Sequence, residues 1–260
     1  MTRRVTATVL FAVLLVAAVA YAQLPNGVDR PGNETGLSQR DLGAQLYAAN
    51  CSFCHGIGGE GVPKPSTIGG ATVAGPSLKG VGAQAADFYL RNGYMPLQDA
   101  RDQPWRRKVL FTPRELDALI AYVASLGTGP PVPQPAPQAG SVARGLRLFT
   151  QHCAGCHQVA AEGGYVTNAR VPKLKDVTPV QIAEAVRIGP YLMPRFSAKA
   201  ISDAQLDSII AYVQSAKHPD DRGGWGIGHV GPVSEGLVAW LVAALALVSL
   251  CVLIGERARR

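Results

Sequence analysis

Apolar positions along this chain follow two patterns. Val5–Ala22 and Leu237–Ile254 are uninterrupted runs without a charged residue. Between them, apolar residues recur at helical spacing in short segments that come in pairs. Gly43–Cys51 aligns without gaps to Gly145–Cys153, and each carries a Leu-aromatic pair (Leu46-Tyr47, Leu148-Phe149) just ahead of its cysteine. The pattern predicts a short helix leading into each cysteine, its apolar face turned towards a bound group or a closing helix. Leu116–Val123 and Leu206–Val213 predict that closing helix in each copy. Thr112-Pro113-x-Glu115 and Ser202-x-x-Gln205 stand before them as capping signals.

Two further matched points complete an internal duplication. Gly75-Pro76-Ser77-Leu78 corresponds to Val171-Pro172-Lys173-Leu174, and Gly93-Tyr94-Met95-Pro96 to Tyr191-Leu192-Met193-Pro194. The offset between copies shrinks from 102 to 90 residues along the repeat, so the first copy has the longer loops, at Gly56–Gly75 and Gln98–Lys108. The expected division is a leader or anchor at 1–22, a polar linker at 23–40, one domain at 41–128 and a proline-rich linker at 129–140. A second domain follows at 141–217, then a juxtamembrane stretch at 218–236, a membrane helix at 237–255 and a basic tail at 256–260. Helices dominate every predicted element, which makes the fold class all-α.

Chemistry enters with Cys51-Ser52-Phe53-Cys54-His55 and Cys153-Ala154-Gly155-Cys156-His157. Cys-x-x-Cys-His is the attachment pattern of a c-type haem. Two thiols on one helical turn reach the two vinyl groups of one macrocycle, and the adjacent imidazole reaches its iron. A zinc knuckle, a redox dithiol or a disulfide also uses Cys-x-x-Cys pairs, but none requires the histidine that follows both pairs here. Apart from Met1, the methionines are Met95 and Met193, at matched places and each before a proline. A lone Met is ordinarily core filling; this coincidence makes the pair candidate sixth ligands, with His55 and His157 as the fifth. Iron so saturated suits electron transfer over oxygen or peroxide chemistry. His152, His218 and His229 read as structural or surface residues.

The formal charge of +7 is concentrated at the tips, where Arg3, Arg4, Arg257, Arg259 and Arg260 face only Glu256. No basic run is interleaved with aromatics in the body, which excludes a nucleic-acid footprint. Leu237–Ile254 has the length of a bilayer span, and the arginines after it place the tail in the cytoplasm and the body outside. Val5–Ala22 ends in Ala20-Tyr21-Ala22 and fits either a cleaved signal or a retained anchor. Trp105-Arg106-Arg107-Lys108 in the first copy's longer loop is a candidate docking surface for an acidic partner.

These residues resemble tandem class I cytochrome c domains. In that family the proline of the Gly-Pro-x-Leu segment gives its carbonyl to the iron-bound histidine, which implies Pro76 for His55 and Pro172 for His157. Val171 departs from the family's usual glycine. The order of elements, above all the C-terminal anchor, is similar to the dihaem cytochrome c subunit of the actinobacterial cytochrome bcc complex. The resemblance implies two covalent haems and, as partners, a cytochrome b subunit, a Rieske iron–sulfur subunit and a terminal aa3-type oxidase with a copper centre. Its rivals are a dihaem subunit of a cbb3-type oxidase, the cytochrome subunit of a membrane dehydrogenase and a dihaem peroxidase. The peroxidase requires one iron with an open position, which paired methionines oppose.

Overall fold

The computed structural model describes residues 27–68, 70–217 and 232–259. The first apolar run, His218 and His229 lie outside the described residues. The chain divides into two compact units between Val132 and Pro133.

In the first unit, α1 (Gln39–Asn50) starts where the Ser38 hydroxyl accepts from the Asp41 N–H. It ends at Cys51, and the single turn α2 (Ser52–His55) follows. A hairpin of β1 (Val62–Ile68) and β2 (Ala71–Gly75) comes next, then α3 (Gly82–Arg91) and the closing helix α4 (Pro113–Ser125). Thr112 and Glu115 form a reciprocal capping box at the start of α4. Helix α1 packs on α4 through Leu42, Leu46, Tyr47, Leu116 and Leu119, all buried. Burying each of these leucines is worth about 1.5–3 kcal/mol. The crossing is close because α1 presents Gly43, where a Cβ would lie 2.1 Å from the Ala118 carbonyl oxygen.

The second unit repeats this plan. A short 3-10 turn (Pro137–Ala139) precedes α5 (Val142–His152) and the single turn α6 (Ala154–His157). The hairpin β3 (Gly164–Val166) and β4 (Ala169–Val171), α7 (Pro179–Ile188) and the closing helix α8 (Asp203–Lys217) complete it. Gly145 takes the role of Gly43, with a would-be Cβ 1.9 Å from the Ser208 carbonyl oxygen. Ser202 and Gln205 cap α8 reciprocally.

Two expectations need correction. The units are not purely helical, since each contains an antiparallel two-stranded hairpin. In the first, Pro63 and Pro65 lack the N–H a ladder uses, and the register breaks between Val62 and Ser66. In the second, three residues per strand are too few to show a period. The stretch before α1 is not a free linker either. Val28 is buried in the first core, Asn50 exchanges hydrogen bonds with the Asp29 backbone, and the Arg30 guanidinium grips Glu115. The proline-rich stretch between the units has a bond at each end. Pro130 accepts from the Gln84 N–H in the first unit, and the Ala136 N–H donates to Asp207 in the second.

Helix α9 (Pro232–Ala258) is long and apolar enough over Gly236–Ala258 to cross a membrane, with a mean hydropathy of 2.9 and no buried residue in that span. Its 23 residues measure about 35 Å at the helical rise. An apolar surface of this extent, exposed all round, needs lipid or protein to cover it.

Candidate functional site

Each Cys-x-x-Cys-His lies where the first helix of its unit ends. The Cys51 N–H closes α1 by donating to the Tyr47 carbonyl at 2.8 Å, and the His55 N–H returns to Cys51 at 2.9 Å. Cys153, Phe149 and His157 reproduce both bonds at the same lengths. Positions one, four and five of the motif therefore share one helical face. Burial pushes the Cys51 thiol up to about 12, with Cys54 adding to the effect. It pushes Cys153 up to about 11, again with help from its neighbouring cysteine. These thiols are held neutral.

After the motif the chain turns back through left-handed backbone. Gly56, Gly59 and Gly61 have φ of +78°, +73° and +87°, and in the second unit Gln158, Ala161 and Gly163 take the same places at +59°, +58° and +69°. The turn closes with Gly61 N–H on the His55 carbonyl (2.7 Å) and Gly163 N–H on the His157 carbonyl (3.0 Å). A tyrosine hydroxyl pins each turn, though from different helices. Tyr47 of α1 donates to the Gly56 carbonyl at 2.7 Å. Phe149 at the matching place has no hydroxyl, and Tyr212 of α8 donates to the Val159 carbonyl instead.

The hairpin brings each proline to its histidine. His55 Nδ1 lies 2.8 Å from the Pro76 carbonyl and His157 Nδ1 lies 3.3 Å from that of Pro172. A carbonyl only accepts, so Nδ1 carries the proton and Nε2 keeps its lone pair. A Cβ at Gly75 would lie 2.5 Å from the Cys54 carbonyl and 3.0 Å from His55 Nδ1. Val171 supplies such a Cβ in the second unit, where the contact is 0.5 Å longer. His157 is buried, which lowers its pKa against the pull of the Pro172 carbonyl and favours the neutral imidazole.

Met95 and Met193 are each half-buried against the core of their own unit. The Met95 N–H donates to the Tyr89 carbonyl at 3.2 Å, and Phe88, Tyr89 and Tyr94 form an aromatic cluster beside it. In the second unit Arg187 threads the loop, donating to the Phe196 and Ile201 carbonyls and to Asp203. Nothing in the local sequence of Arg187 signals this, because its partners are 9 to 16 residues away in an irregular stretch. His152 sits edge-on to Phe196. Trp105, Arg106, Arg107 and Lys108 are exposed, with Arg107 paired to Asp102. Among the described residues no group of three or more His, Cys, Asp or Glu is arranged to hold a metal ion.

Residues 41–127 match the family model described as Cytochrome c, and residues 140–213 match Cytochrome C oxidase, cbb3-type, subunit III. The chain is 32% identical over 98% of its length to the cytochrome bc1 complex cytochrome c subunit of Mycobacterium tuberculosis, of which it covers 92%. It is 30% identical, again over 98%, to the subunit of that name from Corynebacterium diphtheriae, of which it covers 96%. The chain belongs to the cytochrome bc1 complex cytochrome c subunit family. A cbb3-type oxidase subunit CcoP from an Azospirillum species is 28% identical over 66% of the chain.

A cytochrome c domain binds its haem covalently, and both units fit that group. Each offers two thiols on one turn and an imidazole with Nδ1 committed and Nε2 free. Each also sets a thioether against its core. The Phe53 and Ile57 side chains, 57% and 83% exposed, are apolar surface beside the first motif of this bc1-family cytochrome.

Proposed function

We propose that this chain carries two covalent c-type haems and passes electrons from the Rieske iron–sulfur protein of a quinol-oxidising bc1-type complex to a terminal aa3-type oxidase. The reading rests on one observation, the same cofactor loop built twice with a histidine Nδ1 on a proline carbonyl each time. Each haem, when bound, supplies a one-electron iron couple. Cys51 and Cys54 attach the first and Cys153 and Cys156 the second. His55 with Met95, and His157 with Met193, would hold the iron of each. Pro76 and Pro172 fix the plane and tautomer of the two imidazoles and raise their basicity. The thioethers of Met95 and Met193 would favour the reduced state and leave no room for oxygen at the iron. The cytochrome b subunit is a further partner. Helix α9 anchors the chain with its arginine tail in the cytoplasm and both haem domains on the outer side of the cell membrane.

The match of residues 140–213 to a cbb3-type subunit favours a second reading, an electron-input subunit of such an oxidase. Coverage decides against it, since the relatives named for that oxidase align with 66% and 62% of the chain and those named for bc1 with up to 98%. Mild-detergent purification of the tagged chain from its native membrane tests the choice. Co-purifying b haem, a Rieske protein and a copper oxidase is the expected result. A copper oxidase without the b-type quinol reductase selects the second reading. A quinoprotein or flavoprotein dehydrogenase in their place refutes both. Haem counting on C51S/C54S and C153S/C156S chains should return one haem each.

A further inference from the structure

Tyr191 stands two residues before Met193 with φ +55°. A left-handed backbone is costly for a side chain with a Cβ and free for glycine. Counted from the methionine, the first unit has Gly93 there at φ +66°; counted from the preceding helix, Gly93 pairs with Gly189, also at +66°, which leaves the left-handed tyrosine particular to the second unit. The strained tyrosine therefore needs a compensating role. Its hydroxyl donates to the Asn168 carbonyl at the tip of the β3–β4 hairpin, 3.4 Å away. That hairpin runs directly into Pro172, the carbonyl partner of His157. One phenol thus joins the segment that orients the histidine to the segment that carries the methionine.

The first unit makes the same join by other means. Its Gln98–Lys108 insertion bonds to the β1–β2 hairpin through Ala100 N–H to the Thr72 carbonyl (2.9 Å) and Thr72 N–H to Asp99 (3.2 Å). Its far end returns to the methionine loop, with Arg107 N–H on the Gly93 carbonyl at 3.3 Å. A Cβ at Gly93 would lie 2.1 Å from the Arg107 carbonyl oxygen, so the insertion packs directly on the start of the methionine loop. The second unit lacks the insertion and has the tyrosine.

We propose that Tyr191 is a positioning residue, whose phenol ties the hairpin to the methionine loop and so holds Met193 against the second haem. The proposal rests on the reading that His157 and Met193 ligate that haem. The test uses the full haem-loaded chain in detergent and compares Y191F and Y191G with the parent. Amide exchange across residues 165–171 reads the tie without reference to iron. Imidazole association at the second haem reads how firmly Met193 is held. In Y191F both should rise about twofold, as expected for the loss of one long, exposed hydrogen bond, with imidazole binding at the first haem unchanged. Y191G should loosen the loop equally without lowering the melting temperature of the second unit, because glycine relieves the strained φ. Exchange and imidazole association equal to the parent in Y191F would overturn the proposal. So would faster exchange with unchanged imidazole binding, which leaves the tie without a positioning role. A Y191G chain whose melting temperature falls in step with its loosening would reduce the tyrosine to packing. Absence of a sulfur-to-iron absorption band at the second haem of the parent would instead reject the ligand assignment beneath it.

Discussion

Replacing Arg30 by alanine should strand a buried charge at the head of the first closing helix. Glu115 is fully buried and accepts three hydrogen bonds, from Arg30 Nε at 2.5 Å, Arg30 Nη2 at 3.2 Å and the Thr112 N–H at 2.5 Å. Burial alone would raise its pKa, but the Arg30 guanidinium and Thr112 outweigh it and hold the carboxyl below its ordinary value. Removing one partner of a fully buried pair costs about 3–5 kcal/mol. The Arg30 side chain is 27% exposed and the Thr112 bond survives, so the expected loss is about 2–3 kcal/mol. For a unit of this size that lowers the melting temperature by about 10–20 °C. The pH dependence separates this cause from lost packing. With its folded pKa depressed, Glu115 stabilises the parent fully above the ordinary carboxylate pKa, and this stability fades as pH falls through the folded value. The gap between parent and R30A should therefore be widest near neutrality and narrow in acid. Urea unfolding of the detergent-solubilised chain, followed by circular dichroism at several pH values, measures it. A loss below about 0.5 kcal/mol at neutral pH, the ordinary range for surface changes, or a gap that does not narrow in acid, would refute the reasoning. Adding Glu115→Gln to R30A should recover part of the loss.

Gly145→Ala should be costly, since its Cβ meets the Ser208 carbonyl at 1.9 Å; about 3 kcal/mol of overpacking is expected in the melting of the second unit alone. Gly75→Val copies the second unit's residue into the first and should push the Pro76 carbonyl from His55. The weaker bond makes that imidazole a poorer donor, so a spectroelectrochemical titration should show the first haem's potential rising. Tyr47→Phe removes a buried hydroxyl and leaves the Gly56 carbonyl without its donor. It should cost about 1 kcal/mol by denaturant unfolding.

Legibility in the sequence tracked the distance over which each feature is built. The haem motifs, the duplicated helices and the capping boxes at Thr112 and Ser202 are local, and composition and spacing reveal them. The hairpins escaped because Pro63 and Pro65 look like loop residues and β3 and β4 have three residues each. The Arg30–Glu115 pair spans 85 residues, with nothing near Arg30 to mark it as other than a polar linker residue. The proline-rich stretch was read by composition as a spacer. An extended chain leaves its carbonyls unpaired, and that of Pro130 was free to accept from Gln84. The proline carbonyls facing His55 and His157 were expected only from resemblance, because a backbone acceptor leaves no mark on residue identity.

The two tyrosine tethers differ in how much chain must exist before they can form. Tyr47 and Gly56 are 9 residues apart, whereas Tyr212 and Val159 are 53 apart. Closing the longer loop costs more entropy and requires the last helix of its domain. The first tether is therefore local to one helix and the turn after it, whereas the second is a contact of the whole domain. Fraying of α8 should untie the second loop, while the first stays tied as long as α1 and its turn hold together.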